Sequence, residues 1–278
     1  MIQATDAFLV AMADSGLAMH KPSIIADGQI HRFRVEGDKS GTTNGWYSFH
    51  NDAKPFGAFG SWKTGQSHTW TAAKPESMTA AERQAMAERQ RAARAAHAAE
   101  TAKVQAEAAA RALRLWERAK PATGDHPYLA HKAVQAYGVR DLRGQLVIPL
   151  RDVDGKLSSL QFIGADGKKT FLTGGRKRGC YHAIGRPCGV LCICEGYATG
   201  ATIYAATGHA TAIAFDAGNL KPVAISLRTK FPDLPLVICA DNDIKTSGNP
   251  GVTAAREAAR AVGAALAIPE FEQGVCHV

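Results

Sequence analysis

Two short stretches decide the fold: Leu191-Cys-Ile-Cys-Glu195-Gly196 and, about 45 residues later, Leu236-Val-Ile-Cys-Ala-Asp241-Asn242-Asp243. Each is an apolar run that ends abruptly in acid, which indicates a buried parallel strand with carboxylates at its C-terminal end. Open α/β sheets bind their ligands at that edge, so we expect the carboxylates to meet there. Asp241 and Asp243 are two residues apart, and in an extended chain their side chains leave on the same face.

These carboxylates predict a site for a divalent cation. Clustered carboxylates repel one another at neutral pH, and a hard cation such as Mg²⁺ relieves the repulsion while it keeps waters and phosphates as further ligands. We therefore expect Glu195, Asp241 and Asp243 to be catalytic and to bind Mg²⁺ or Mn²⁺. The alternative for either motif alone is an unrelated acidic strand end that serves as a helix N-cap. The presence of both motifs in this order and spacing favours the metal site.

The order of the motifs resembles that of the Toprim domain. The sequence presents Glu195-Gly196 after a strand, a helix of small residues at 197–206, a strand near 211–215, and then the Asp241-x-Asp243 strand. This family includes bacterial-type primases, topoisomerases of types IA and II, and a group of nucleases and recombination proteins. The sequence is more closely similar to the primases of phages and plasmids in three segments: Glu195-Gly-Tyr-Ala-Thr-Gly-Ala-Thr202, Ala217-Gly-Asn-Leu220 and Ala240-Asp-Asn-Asp243.

The resemblance implies an α/β fold with a Rossmann-like parallel sheet and the activity of a DNA primase. Such an enzyme would synthesise short RNA primers from ribonucleoside triphosphates on single-stranded DNA, and a separate replicative helicase is a candidate partner. Glu195 would complete the metal site or serve as general base, and both roles stay open. Gly196 would let the backbone approach the substrate, and Asn219 would cap or orient the neighbouring loop.

Positive charge is concentrated before the Toprim motifs. Residues 142–186 hold nine Lys or Arg against three Asp, a net charge of +6 out of the chain's +8. A basic surface beside an acidic metal site suits nucleotide polymerisation, because template and triphosphate are both polyanions. By resemblance to the bacterial-type primase core, Arg151 and Lys169 would face the incoming nucleotide or nascent RNA. By the same resemblance, a mobile loop near the nucleotide-binding groove would carry three further cations, namely Arg176, Lys177 and Arg178. The alternative is that these three residues form the solvated tip of a hairpin.

Four regions are predicted along the chain. They are a small β-rich N-terminal module at 1–75, a helical connector at 76–120, a basic mixed α/β subdomain at 121–187 and the Toprim domain at 188–278. The first shows the period-two alternation of an antiparallel sheet, and the second is rich in helix-forming residues. The N-terminal module is a candidate for template binding and initiation. Its aromatic residues are candidates to stack single-stranded bases, unless they form the module's own core: Trp46, Tyr47, Phe56, Phe59 and Trp62.

Composition agrees with a nucleic-acid enzyme. The chain has 278 residues and 46% hydrophobic content, and its sequence pI near 9.2 favours a polyanionic partner. No long apolar run and no basic N-terminal signal is present, so we expect a cytoplasmic protein without membrane association. The six cysteines form no pair of C-x-x-C motifs, and we therefore predict no zinc.

Two other classes of function stay open at this point. A Toprim-type nuclease would use the same acids to activate water. A non-catalytic DNA-binding module of a mobile-element replication system would bind DNA without any chemistry. Incubation with single-stranded DNA, Mg²⁺ or Mn²⁺ and labelled ribonucleotides separates the three, because only a primase yields short oligomers and only a nuclease yields cleaved template.

Overall fold

The computed structural model describes residues 3–52, 54–62, 64, 66–72, 79–242, 244, 246 and 248–270. Asp243 of the predicted metal site therefore lies outside the described residues. The chain divides into two compact units, Met1–Thr101 and Ala102–Val278, where the sequence predicted four regions. Within the part of the chain that is described, every helix is too short or too polar to span a bilayer.

The first unit packs a helix on a small antiparallel sheet. Helix α1 (Ala4–Asp14) precedes four strands in the order β1-β2-β3-β4, namely β1 (His31–Phe33), β2 (Gly45–His50), β3 (Phe56–Ser61) and β4 (Ser67–Thr71). Phe8 of α1 is fully buried, and its ring centroid lies 4.7 Å from that of Phe49 and 5.5 Å from that of Phe59. The close approach requires Gly57, since a Cβ at that position would lie 2.6 Å from the Phe8 ring.

Most of the rings considered for base stacking belong to this core. At most 5% of the surface is exposed in four of them: Trp46, Tyr47, Phe56 and Phe59. The expectation that they stack on bases is wrong, because a buried ring offers no free face. Both faces of the sheet are covered: Phe8 packs on one, and on the other His97 packs against Trp46 and stacks on Trp62. Trp62 is half-buried, with the Arg32 guanidinium 5.5 Å from its ring centroid.

A single long helix and an antiparallel sheet follow. Helix α2 (Ala80–Arg118) has 39 residues, and the division between the two units falls within it. The sheet has the order β5-β6-β7-β8-β9, namely β5 (Lys120–Pro121), β6 (Arg140–Leu142), β7 (Gln145–Arg151), β8 (Leu157–Ile163) and β9 (Lys169–Phe171). Helix α3 (Pro127–His131) lies between β5 and β6 in the sequence. Val147 of β7 packs with Leu160 of β8 and Ala112 of α2, which buries this side of the sheet.

The second sheet of this unit is the predicted parallel core. Its order is β10-β12-β11-β13-β14, and every pair is parallel except β10 with β12. The strands are β10 (His182–Ile184), β11 (Leu191–Cys194), β12 (Ala210–Ile213), β13 (Leu236–Cys239) and β14 (Ala265–Ala267). Helices α4 (Tyr197–Thr207), α5 (Ala217–Lys230) and α6 (Pro250–Val262) connect the parallel strands. The α/β fold with a parallel sheet is thus confirmed.

A buried histidine joins strand β10 of the parallel sheet to the chain just before β6. His182 of β10 has 4% of its surface exposed, and its Nε2 lies 2.8 Å from the carbonyl oxygen of Tyr137. Burial lowers the pKa of His182 to about 4, and the nearby positive charge of Arg151 acts in the same direction. The neutral ring is therefore the folded form, and its Nε2–H donates to the Tyr137 carbonyl.

This histidine should make the folded state sensitive to acid. Between pH about 6.5 and about 4 the unfolded chain takes up a proton at His182 and the folded chain does not, so stability falls as the pH falls. The full effect is about 3 kcal/mol. We expect His182→Gln, which keeps a donor for Tyr137, to flatten this part of the curve of unfolding free energy against pH, measured by urea denaturation. His131→Gln, at an exposed position, is the control and should keep the wild-type slope; an unchanged slope in His182→Gln would contradict the assignment.

Candidate active site

The acidic edge of the parallel sheet is formed by the ends of β11 and β13. Glu195 directly follows β11, and Asp241 lies two residues beyond the end of β13. The strands pair in parallel with Cys194 opposite Cys239, so both carboxylates leave the sheet at the same edge. Both side chains are half-buried.

The buried Cys194 thiol feels the negative charge of both carboxylates. Burial raises the pKa of Cys194 well above that of an ordinary thiol, and the negative charges of Asp241 and Glu195 add to the rise. Both carboxylates therefore act on the same buried thiol between the paired strand ends. The parallel pairing places two of the three predicted metal-binding residues at one edge of the sheet.

The neighbouring helices fix the position of Asp241. The hydroxyl of Thr199, in the first turn of α4, lies 3.4 Å from Asp241 Oδ1. On the other side, α6 begins against the Asp241 backbone, and a Cβ at Gly251 would clash with the Asp241 carbonyl oxygen. Glycine at 251 is thus required for α6 to start this close to the strand end.

The donor set at this edge fits a hard divalent cation. Carboxylate oxygens are the ligands that Mg²⁺ and Mn²⁺ prefer, and Glu195 and Asp241 supply them from two neighbouring strands. Among the described residues no group of three His, Cys, Asp or Glu side chains is close enough to hold a metal. A cation here would therefore take its remaining ligands from Asp243, from water or from a substrate phosphate.

Strand β9 brings a lysine to the acidic edge. Lys169 is exposed, and its Nζ lies 4.0 Å from the place that a Cβ on Gly196 would occupy. Gly196 is the N-cap residue of α4 and directly follows Glu195. A cation and the acidic pair therefore stand side by side, an arrangement that can hold a metal and a phosphate at once.

Asn219 makes several hydrogen bonds to the backbone of the loop that carries Arg176, Lys177 and Arg178. This side chain has 3% of its surface exposed, and its Oδ1 accepts the Gly179 backbone N–H at 2.8 Å. Its Nδ2 lies 2.8 Å, 3.0 Å and 3.2 Å from the carbonyl oxygens of Ala214, Cys180 and Lys177. A buried amide that lost these partners would be left unpaired, so these contacts favour one backbone conformation of the loop. The mobility of the loop stays a prediction.

The cations of this loop have different surroundings. Lys177 pairs with Asp216, the N-cap residue of α5, and its Nζ lies 5.1 Å from the ring centroid of Phe171. Arg176 donates to Asp152 Oδ2 at 2.9 Å and to Ser158 Oγ at 3.2 Å, whereas the Arg178 side chain is exposed.

Arg151 has local partners at the end of β7. Its Nη1 donates to the Gly155 carbonyl at 2.9 Å, and its guanidinium lies 6.0 Å from the ring centroid of Trp116. These contacts hold it at the β7–β8 turn. Its contact with a nucleotide stays a prediction.

Sequence reasoning missed two neighbours of the acidic edge, Phe215 and Asp216. They follow β12, and the Phe215 N–H donates to the Glu195 carbonyl at 2.8 Å. The sequence carries a signal for them, because 211–216 is another largely apolar run that ends in an acidic residue. Phe171 was also missed, although its spacing of two from Lys169 puts both side chains on the same face of β9.

Comparison with known proteins agrees with this architecture. Residues 190–273 match the family model of the Toprim domain. Two Escherichia coli proteins named DNA primase TraC are similar to this chain, one with 41% identity over 262 residues and one with 39% over 259. Residues 190–273 form a Toprim domain.

These two relatives are much longer than this chain. The first alignment covers 90% of this chain and 25% of the relative, and the second covers 89% and 18%. Among solved structures, the primase fragment of the bacteriophage T7 primase-helicase protein is similar with a TM-score of 0.39 and 13% identity, over 51% of this chain and 63% of that one. So low a structural similarity adds nothing to the sequence relationship.

The role of Asn219 can be tested by its removal. Asn219→Ala removes the acceptor of the Gly179 N–H and the donor to the backbone carbonyls around it. The loss of these hydrogen bonds should lower the free energy of unfolding by about 2–4 kcal/mol. It should also speed tryptic cleavage after Lys177 and Arg178 in the folded protein, measured by mass spectrometry of the fragments. Thr229→Ala, an exposed change on the same helix, should alter stability by less than about 0.5 kcal/mol. Equal cleavage rates in Asn219→Ala and wild type would show that other contacts hold the loop.

Proposed function

We propose that this chain carries the catalytic centre of a DNA primase, which makes short RNA primers on single-stranded DNA by divalent-metal-dependent nucleotidyl transfer. The observation that carries the proposal is the meeting of Glu195 and Asp241 at one sheet edge, with the Lys169 ammonium beside them. The relatives named DNA primase support the same reaction.

Each charged group would have a role in the transfer. Glu195, Asp241 and Asp243 would hold Mg²⁺ or Mn²⁺, which when bound would supply positive charge to the phosphorus oxygens of the transferring group. Glu195 either completes that set of ligands or accepts the proton of the primer 3′-hydroxyl. Lys169 would bind the phosphates of the incoming ribonucleoside triphosphate, because its ammonium stands next to the acidic edge.

The basic antiparallel sheet would bind the template strand. Segment 142–186, which contains strands β7, β8 and β9 of this sheet, has a net charge of +6, which attracts a polyanion without regard to sequence. Arg178 is exposed and would contact phosphate directly, whereas Arg151, Arg176 and Lys177 would first exchange the partners that they have. A separate replicative helicase as partner, the absence of zinc and an initiation role for residues 1–75 stay predictions.

The central test replaces a carboxylate by its amide. Asp241→Asn removes the charge that binds the cation but keeps the size of the side chain, so we expect primer synthesis to fall by about 100-fold or more with little change in fold. The assay follows labelled ribonucleotides into short oligomers on single-stranded DNA with Mg²⁺. Binding of Mn²⁺, measured by electron paramagnetic resonance, should weaken in the same variant.

Two comparisons make this test specific. Asp154→Asn, at an exposed turn of the basic sheet, should keep wild-type activity and Mn²⁺ binding. Glu195→Gln decides the role of that residue, because a ligand would lower Mn²⁺ affinity and a general base would lower only the rate. Full primer synthesis by Asp241→Asn would refute the proposal, and cleaved template without oligomers in the wild type would assign a nuclease instead.

A further inference from the structure

The acidic edge has an exposed aromatic ring beside it. Phe171, at the end of the edge strand β9, has 37% of its surface exposed. It is the most exposed of the Phe, Tyr and Trp side chains that the structure describes. A ring that can contact an unpaired base therefore lies on the basic sheet of the second unit, whereas most rings of the N-terminal sheet form its core.

Two neighbours hold this ring in place. The Phe215 ring meets it edge to face, with centroids 6.1 Å apart and planes at 79°. The Lys177 ammonium lies over it, 5.1 Å from its centroid. Phe215 has a φ of +75°, which a bulky residue rarely adopts, so its ring is held in place at a cost in backbone energy.

The same neighbours tie Phe171 to the acidic edge. The Phe215 backbone N–H donates to the Glu195 carbonyl at 2.8 Å. The residue whose ring packs against Phe171 is therefore hydrogen-bonded to a predicted metal-binding residue. Lys169 is two residues before Phe171 on the same face of β9, about 7 Å away along the strand, and its Nζ lies beside Gly196. An aromatic surface and two ammonium groups thus flank the edge.

We propose that Phe171 stacks an unpaired base of the single-stranded DNA template next to the acidic edge, while Lys169 and Lys177 contact neighbouring phosphates. The inference rests on the proposed function and adds the residue that holds the template base. Stacking tolerates every base, because each has a π-face, and cations around the ring favour a polyanion over an apolar protein partner. The template is therefore the occupant that the charge of this surface favours.

The test measures binding of two labelled strands of equal length by fluorescence anisotropy, at several salt concentrations and without nucleotides or metal. One strand is oligo-dT and the other has abasic sites throughout. Phe171→Ala should weaken binding of oligo-dT by about five- to thirtyfold and leave the abasic strand within about twofold. The salt dependence should stay that of wild type, because the phosphate contacts remain, and Phe171→Tyr should restore binding.

Thr170→Ala is the matched control, since Thr170 is exposed and points to the opposite face of the same strand. It should bind both strands as wild type does. Equal binding of oligo-dT by Phe171→Ala and wild type, or an equal loss on both strands, would overturn the inference. A change in molecular mass on sedimentation of Phe171→Ala would also overturn it, and would assign the exposed ring to contact with a second copy.

Primer synthesis by the wild type, measured in parallel, separates this inference from the proposed function. If the wild type makes primers and Phe171→Ala binds oligo-dT normally, only the stacking role is wrong. If the wild type makes no primers but Phe171→Ala loses base-dependent binding, the primase proposal is wrong and the base-stacking role of Phe171 stands.

Discussion

The parallel pairing of β11 with β13 is the constraint on which the whole site depends. Because Cys194 stands opposite Cys239, the chain leaves both strands at one edge, where Glu195 and Asp241 both act on the Cys194 thiol. A slip of one residue would turn the side chains of one strand to the other face of the sheet. Gly251 helps to set this geometry, since only a residue without a Cβ lets α6 begin against the Asp241 backbone.

Hydrogen bonds of an uncharged side chain position the basic loop beside Glu195 and Asp241 more than its ion pairs do. The ion pairs of Arg176 with Asp152 and of Lys177 with Asp216 are partly exposed, and such pairs contribute only about 0–1 kcal/mol each. The buried amide of Asn219 makes the stronger connection through its hydrogen bonds to the loop backbone. The loop can therefore keep its shape while its cations exchange carboxylates for phosphates.

The sequence predicted those elements of the fold that depend only on the local pattern of residues. An apolar run that ends in acid located the ends of β11 and β13, and a stretch rich in Ala, Glu and Arg located the long helix α2. The prediction that the N-terminal rings stack on bases failed for a physical reason. Alternation in the sequence tells which residues share a face of the sheet, but not whether a helix covers that face. Here Phe8 covers one face and His97 the other, and both contacts join residues far apart in the sequence.

The most direct measurement of the central claim is where a bound metal lies on the chain. Fe²⁺ can replace Mg²⁺ at an oxygen-ligand site, and with ascorbate and peroxide it cleaves the backbone next to the place where it is held. The account predicts two cleavage positions in the folded protein, near Glu195 and near Asp241, and excess Mg²⁺ should suppress both. Cleavage confined to other segments, or none that Mg²⁺ suppresses, would contradict a metal site at this edge.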